Sequence, residues 1–466
     1  MSRTRQTSQT GQTLNRKLPS CFRFPSLQPL PATDSFSCVM SEPPIKPARR
    51  AALVFIFITI VLDMLAVGMI VPVLPKLVEN FLGGDTAKAA RVYGIFATVW
   101  ALMQFVFAPL LGTMSDRFGR RPIVLLSNFG LGLDYILMAL APTLSWLFVG
   151  RVISGITAAS VPTAGAYIAD VTPEEKRAKA FGMLGAAFGI GFIVGPAVGG
   201  LLGSITPRLP FWVAAALSLL NAMYGLFVLP ESLSQEKRAR FSWARANPLG
   251  SLKLLRSHHE LFGLAVATFL SALAHDSLPS TFVYYADYRY HWTPRTIGFV
   301  LATVGICFGV VQGAFVGRIV GYFGERRALM VGLLFGTIGF AIYGFAAYGW
   351  IFWLGIPVMS IWGISGPAAQ GMMCRRVGPS EQGQLQGAIS SIRGISGMLA
   401  PILFTRTFAA FIGRWQDWHL PGSPFLLSSL LLLSAMVTVV ALKRDESNSA
   451  LRGGECPSRA QQRPIT

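Results

Sequence analysis

Six ionisable side chains stand inside long apolar stretches of this 466-residue sequence: Asp63, Asp134, Arg151, His275, Asp276 and Arg393. Each costs roughly 2.5 to 3.5 kcal/mol at the centre of a bilayer on insertion scales, so its presence calls for a compensating use. A buried carboxyl, whose charged form is penalised by desolvation, can take up and release a proton near neutrality, which is what proton coupling requires. A buried arginine keeps its charge and can hold such an acid or attract an anionic group. At every one of these positions the competing reading is a structural pair that only ties helices together. For the neighbours His275 and Asp276 that reading is a helix-end pair close to the outer face.

The stretches that carry these residues set the class of protein. Mean hydropathy is +0.52, with 52% hydrophobic and 13% charged residues, far from ordinary soluble composition. The pattern predicts an all-α membrane protein with twelve transmembrane helices in two six-helix halves, the spans beginning near 51, 91, 122, 147, 179, 211, 260, 295, 328, 350, 384 and 422. A net charge of +19 invites a nucleic-acid reading, but the basic residues cluster in alternate links between spans. Arg117, Arg120 and Arg121, then Lys176, Arg177 and Lys179, then Arg318, Arg326 and Arg327 fall on one side; the intervening links are nearly free of them. That is the positive-inside distribution, with both termini cytoplasmic in an inner (plasma) membrane, and a nucleic-acid patch would instead be contiguous. The five cysteines, Cys21, Cys38, Cys307, Cys374 and Cys456, have no metal-ligand spacing, so no metal and no cofactor is expected. No phosphate-binding loop of the Gly-x4-Gly-Lys-Ser/Thr kind occurs, so any drive is electrochemical.

Domain limits follow from composition. Residues 1–48 are polar and almost free of acids and read as a disordered extension, with Met40 as an alternative start; 49–230 form the first half, 231–259 a cytoplasmic central link, 260–443 the second half and 444–466 a disordered tail. Trp243 and Leu249 to Leu255 suggest that part of the central link lies along the leaflet as an amphipathic helix.

Two motifs have denser chemistry than a topology signal needs. The first is Gly112-Thr-Met-Ser115-Asp116-Arg117-Phe-Gly119-Arg120-Arg121-Pro122, in which glycines permit a tight reversal and Asp116 sits within reach of an arginine. Gly317 to Arg327 repeats its spacing in the second half, with Gly321 where the acid would be, which points to duplication. The second is Gly191-Phe-Ile-Val-Gly195-Pro196-Ala-Val-Gly199-Gly200 in span 5, a small face for close helix packing with a proline that permits a bend.

The first motif resembles the signature loop of the major facilitator transporters, and the second their antiporter signature. The likeness narrows over spans 1 to 6. Leu62-Asp63, Ala101-Leu-Met-Gln104-Phe-Val-Phe-Ala-Pro109, Leu133-Asp134-Tyr135, Gly150-Arg151 and Ser154-Gly155-Ile-Thr157 are similar to the front half of the tetracycline/proton antiporters. The back half agrees in outline through Gln312, Gly317-Arg318-Ile319 and Gln382-Gly383-Gln384-Leu385-Gln386-Gly387. This resemblance implies that Asp63, Asp134 and Arg151, with Gln104 and Gln312, handle substrate and proton, and that Ser115, Asp116 and Arg120 form a cytoplasmic gate. Tetracycline exporters carry a histidine in span 8 and an aspartate in span 9; Phe308 and Gly336 stand there, which speaks against tetracycline as cargo. His275 or Asp276 could replace the lost acid and Arg393 could recruit an anionic or zwitterionic substrate, while Phe269, Phe282, Tyr284, Tyr285, Trp353 and Trp362 could line an amphipathic cavity or form interface belts.

The expected function is proton-coupled antiport, exporting a small amphipathic drug or metabolite by alternating access, with the lipid bilayer, protons and the small molecule as partners and a monomer as the working unit. Proton-coupled metabolite symport is the nearest alternative, and the span 5 motif argues against it. A non-transporting sensor or assembly partner is the other, and an idle scaffold has little reason to keep costly buried charge. No nucleophile, base and orienter set is legible, so enzymatic activity is not expected.

Overall fold

The computed structural model describes residues 47–158, 160–239, 247, 250–256, 259–378 and 381–452. Twelve helical spans cross the bundle: 1, Val54–Phe81; 2, Thr86–Phe118; 3, Arg120–Leu140; 4, Leu144–Val171; 5, Ala180–Ile205; 6, Leu209–Val228; 7, Leu261–Tyr290; 8, Pro294–Phe323; 9, Glu325–Phe345; 10, Gly349–Cys374; 11, Gln382–Ile412; 12, Ser423–Leu442. No strand occurs among the described residues. The largest departure from the expected starts is span 2, expected near 91 and beginning at Thr86. The cause is Asp85, whose carboxylate accepts from the Lys88 N–H at 2.8 Å and so caps the helix several residues earlier than hydropathy alone would place it. Pro294 opens span 8 at its first turn behind the Thr293 cap.

The charged link between spans 2 and 3 is tighter than an open hairpin. Helix continues through Gly112 to Phe118, and Gly119 alone, at φ +110°, separates it from the next helix. Gly324 occupies the matching corner between spans 8 and 9 at φ +77°. Both values are open to glycine at little cost, so the duplicated glycine pays for the duplicated corner. At the start of span 7 and in the central link, Gly250–Leu252 and Lys253–Arg256 form two short helical turns. Leu254 and Leu255 are buried against span 11, so this part of the link packs into the bundle rather than along the leaflet. Trp243 and Leu249 lie outside the described residues, as do 1–46 and 453–466. The last helix, Ser423–Arg452, runs past the apolar limit at Leu442 into the stretch read as a tail.

The two halves meet along two seams, span 2 against span 11 and span 5 against span 8. At the end of the bundle far from Gly119 and Gly324 the seams are shut. A Cβ at Gly298 would lie 3.2 Å from the Gly200 Cα, and one at Gly305 would lie 2.7 Å from the Ile193 side chain. Lys76 bridges Asp287 of the other half at 2.7 Å, and the Tyr284 hydroxyl donates to the Pro75 carbonyl at 3.0 Å. Towards the Gly119 end the same helices part. The antiparallel register that opposes Gly200 to Gly298 and Ile193 to Gly305 would next oppose Gly189 to Gly309, yet a Cβ at either finds nothing within 4 Å. Gly112 on span 2 and Gly383 on span 11 are equally open. The molecule is therefore sealed at one end and splayed at the other.

Candidate functional site

Asp63 is 2% exposed on span 1 and turns towards spans 3 and 6. Asn221 Nδ2 donates to its Oδ1 at 3.1 Å and to the Thr59 carbonyl at 3.2 Å. With its nitrogen facing the carboxylate, Asn128 donates at 3.3 and 3.2 Å and accepts from Asn221 at 3.1 Å. Both asparagines are wholly buried. Amide pairs of this kind supply the hydrogen bonds that a buried carboxylate needs. Neither asparagine belongs to the sequence expectation; a polar amide inside an otherwise apolar span was the signal available for each. Asn221→Leu is expected to destabilise the protein by about 1 to 3 kcal/mol through the lost donor to a buried charge. Thermal melting in detergent checks that loss.

Asp134 and Arg151 form a second buried pair, Nη2 to Oδ2 at 3.5 Å, with the carboxylate side chain fully covered. The Arg151 guanidinium also reaches the Met138 sulfur at 3.1 Å. Gly150, next to Arg151, makes the approach of span 4 to span 3 feasible, since a Cβ there would lie 2.8 Å from Asp134 Oδ1. The Tyr135 ring, 2% exposed, stands in the field of Arg151, Asp134 and Asp63 together.

The span 5 glycines link the Asp63 helix to the other half. A Cβ at Gly191 would lie 2.9 Å from the Leu65 nitrogen, and one at Gly195 would lie 2.9 Å from the Gly68 Cα; Gly199 sits against Met69 in the same way. Gly200, on the adjoining face, meets Gly298 of span 8 with 3.1 Å to its Cα. Pro196 touches both neighbours: its ring lies 2.9 Å from a Cβ at Gly68, and its carbonyl is the group that a Cβ at Gly298 would strike. Span 5 is thus wedged without side chains between the helix that bears Asp63 and the back half, so a shift of one helix must be felt by the other.

At the splayed end, Arg120 donates to Ser115 at 2.7 Å and pairs with Asp116 and with Asp170 of span 4 at 3.1 Å. Glu231, which follows span 6, accepts from the backbone N–H groups of Arg120 at 2.8 Å and Arg121 at 3.3 Å, capping the N-terminus of span 3. Asp170 and Glu231 were missed from sequence because each sits at a span end, where an acid reads as an ordinary interfacial residue. Arg121 donates to the Leu226 carbonyl at 2.6 Å, whereas Arg117 lies over the Phe118 ring at 5.1 Å and joins none of these pairs. In the back half Glu325 pairs with Arg375.

Of the remaining expected residues, His275, Asp276, Gln312 and Arg393 lie on spans of the back half and Gln104 on span 2. Asp276 is near the middle of span 7, between helices His259–His275 and Ser277–Tyr290. His275 and Asp276 are therefore not a helix-end pair at the outer face. Pro279 cannot donate to the His275 carbonyl, which is the local reason for the interruption. His275 Nδ1 is 3.3 Å from Asp276 Oδ1, and Ser396 of span 11 donates to Asp276 Oδ2 at 2.9 Å. Gln312 donates to the Gly363 carbonyl of span 10 at 2.9 Å. Arg393 is exposed, and Gln104 is half-buried on span 2; neither has a hydrogen-bonding or ionic partner among the described residues. Of the six aromatics, Phe282, Tyr284 and Tyr285 are buried in packing towards the sealed end, while Trp362 stands beside His275.

A twelve-span bundle in two like halves, with buried charge on its spans and one sealed end, is the architecture of a secondary transporter. The profile of the Major Facilitator Superfamily matches residues 56–401 and 264–461, and the chain belongs to that family. It is similar to the tetracycline resistance protein of class C from Escherichia coli, 36% identical over 393 residues that cover 84% of this chain and 96% of that protein. It is also similar to the class E protein from Escherichia coli, 38% identical over 369 residues covering 79% and 89% respectively. The solved structure of the human organic anion transporter MFSD10 superposes with a TM-score of 0.64 at 23% identity, covering 85% of this chain and all of that one, and shows the same fold. The chain is thus a multi-pass membrane transporter of small molecules and not an enzyme.

Proposed function

We propose that this transporter is a proton-coupled antiporter that exports a small amphipathic compound by alternating access. The observation that carries the reading is the wedge of span 5, which joins the Asp63 helix to span 8 of the other half through glycine-to-backbone contact on two faces. A change of charge at Asp63 alters how span 1 is held by Asn128 and Asn221, and span 5 passes that change to the seam that must open. Asp134 and Arg151 supply a second site near Tyr135, where a proton taken by the acid would release the arginine. The splayed end carries the basic links, so it faces the cytoplasm with both termini, in the plasma (inner) membrane. Substrate enters there; proton uptake from outside resets the carrier after release. A monomer suffices, since both seams lie within one chain.

A potential of 100 mV supplies about 2.3 kcal/mol per proton, enough for roughly a fifty-fold gradient of a neutral substrate before any pH difference is added. Inverted vesicles holding an imposed pH gradient test the proposal, screened with tetracyclines, other cationic drugs and amphipathic metabolites. At least one compound should dissipate the gradient in the parent protein and leave it intact in Asp63→Asn. Compound-driven flux that is equal in parent and variant would reject Asp63 as the coupling acid.

A further inference from the structure

The sealed end carries a lysine shared between two acids that belong to opposite halves. Span 1 turns at residues 71–73 and resumes as the short helix Leu74–Phe81, since Pro72 and Pro75 have no N–H with which to continue the ladder. That helix sets Lys76 and Glu79, three residues apart, on one face. The Glu79 side chain is 6% exposed and accepts from Lys76 Nζ at 2.9 Å and from the Thr86 hydroxyl of span 2 at 2.5 Å. The same ammonium group reaches across the seam to Asp287 of span 7 at 2.7 Å.

The two acids are held unequally. Lys76, Glu79 and Thr86 all belong to the front half, so their contacts survive a parting of the halves. Asp287 has Lys76 as its one ionic partner among the described residues and loses it when the halves part. It is fixed to the back half on both sides. Tyr284, one turn earlier, donates across the same seam to the carbonyls of Pro75 at 3.0 Å and Ala89 at 3.3 Å. After it the chain reverses tightly, with His291 at φ +53° and the Trp292 N–H on the Ala286 carbonyl, into span 8, whose Pro294 carbonyl is the group that a Cβ at Gly200 would strike. A cavity of about 210 Å³ lies between these segments, with Lys76, Glu79, Asp287, His291 and Trp292 in its wall. The Lys76 and Asp287 side chains are 38% and 27% exposed, so solvent reaches the bridge while Glu79 behind it stays covered.

Sharing decides what opening costs. An isolated ion pair pulled apart leaves two charges without partners, whereas here the lysine keeps Glu79 and only Asp287, at the edge that solvent reaches, is released. Without Glu79 the parted lysine would have no countercharge. We propose that Lys76 is a latch shared by the two halves: it bridges Glu79 and Asp287 while this end is shut and stays with Glu79 alone when the end opens. Asp287 closes the latch, and Glu79 allows it to release. The two carboxylates therefore act in opposite directions on one equilibrium, which a bridge that only fastened the seam would not do. This rests on the alternating-access reading above and gives that movement its switch at the sealed end.

Alkylation of a cysteine at Ala89 by a water-soluble maleimide reads opening at this end in the full chain, after subtraction of the rate for the chain without Ala89→Cys. Asp287→Asn should speed it about two- to fivefold, since Lys76 then has no acid to reach across the seam. Glu79→Gln should slow it below the parent by about the same factor, because the lysine is left to Asp287 alone and parting would strand it. Asp287→Glu, which retains the charge, should leave the rate near the parent's. A loosened or misfolded protein would expose Ala89 in both neutral variants, so opposite signs separate the latch from a loss of structure. Faster alkylation in both, or equal alkylation in the parent and Asp287→Asn, would overturn the latch. The readout needs neither cargo nor a pH gradient, so the expected pattern in a protein that moves no proton would sink the antiport reading alone. Antiport by a parent whose alkylation is unchanged in both variants would sink the latch alone.

Discussion

Leucine in place of Gly298 is expected to abolish transport and to reverse which end of the protein is open. The added side chain would drive into span 5 at Gly200 and Pro196, and span 5 cannot retreat because Gly191, Gly195 and Gly199 already rest on span 1. Overpacking of this kind costs about 1 to 3 kcal/mol where the seam is shut and nothing once it parts, enough to shift the equilibrium by about five- to 150-fold. Gly309→Leu should do the converse. Its Cβ enters open space in the form described here, sealed at the end far from Gly119, but it opposes Gly189 in the register that a closed seam at the Gly119 end would adopt. A cysteine at Ala89, which is fully buried beside the Tyr284 hydroxyl, reports the difference. Its alkylation should become several-fold faster with Gly298→Leu and slower than in the parent with Gly309→Leu, and both variants should lose transport. Parental transport in both would remove the seams as moving parts.

The second large effect concerns the charge pair of spans 3 and 4. Arg151→Leu strips the fully covered Asp134 side chain of its countercharge. Breaking a buried pair on one side costs about 3 to 5 kcal/mol, since the remaining charge stays without compensation. Melting in detergent should show that loss, and pH-driven transport should fall to background. Asp134→Asn combined with Arg151→Gln should recover most of the stability, because no buried charge is left, while transport stays at background. Recovery of coupled transport in the double variant would mean that the pair only ties helices together.

Much of this was legible in sequence because the bilayer imposes a simple rule: spans of about 20 apolar residues separated by charged links. The twelve spans and the repeated glycine corners at Gly119 and Gly324 follow from that rule and from duplication. The glycine face of span 5 was also legible, although not its second contact, since the sequence does not say which helix Gly200 meets. Contacts across distant spans were the part that stayed hidden. Asn128 and Asn221 lie more than 60 residues from Asp63 along the chain, and an amide in an apolar span announces polarity without naming its partner. Lys76 and Asp287 look interfacial one at a time; only the closed seam makes them a bridge. His275 and Asp276 were ambiguous for a different reason: Pro279 and the polar stretch around Ser277 imitate a helix end, whereas the chain resumes its helix and completes the span.

The most direct test of the account is proton release on substrate binding. Antiport requires that substrate and proton disfavour each other, and this coupling is reciprocal: substrate must expel a proton, and affinity must fall as pH falls. Purified protein in weakly buffered detergent, mixed with a transported compound beside a pH-indicator dye, should release protons in the parent. Asp63→Asn should release fewer, and the parent's affinity should decline on acidification. Substrate that binds with unchanged affinity between pH 5.5 and 8 and releases no proton would contradict the account, whatever the protein carries.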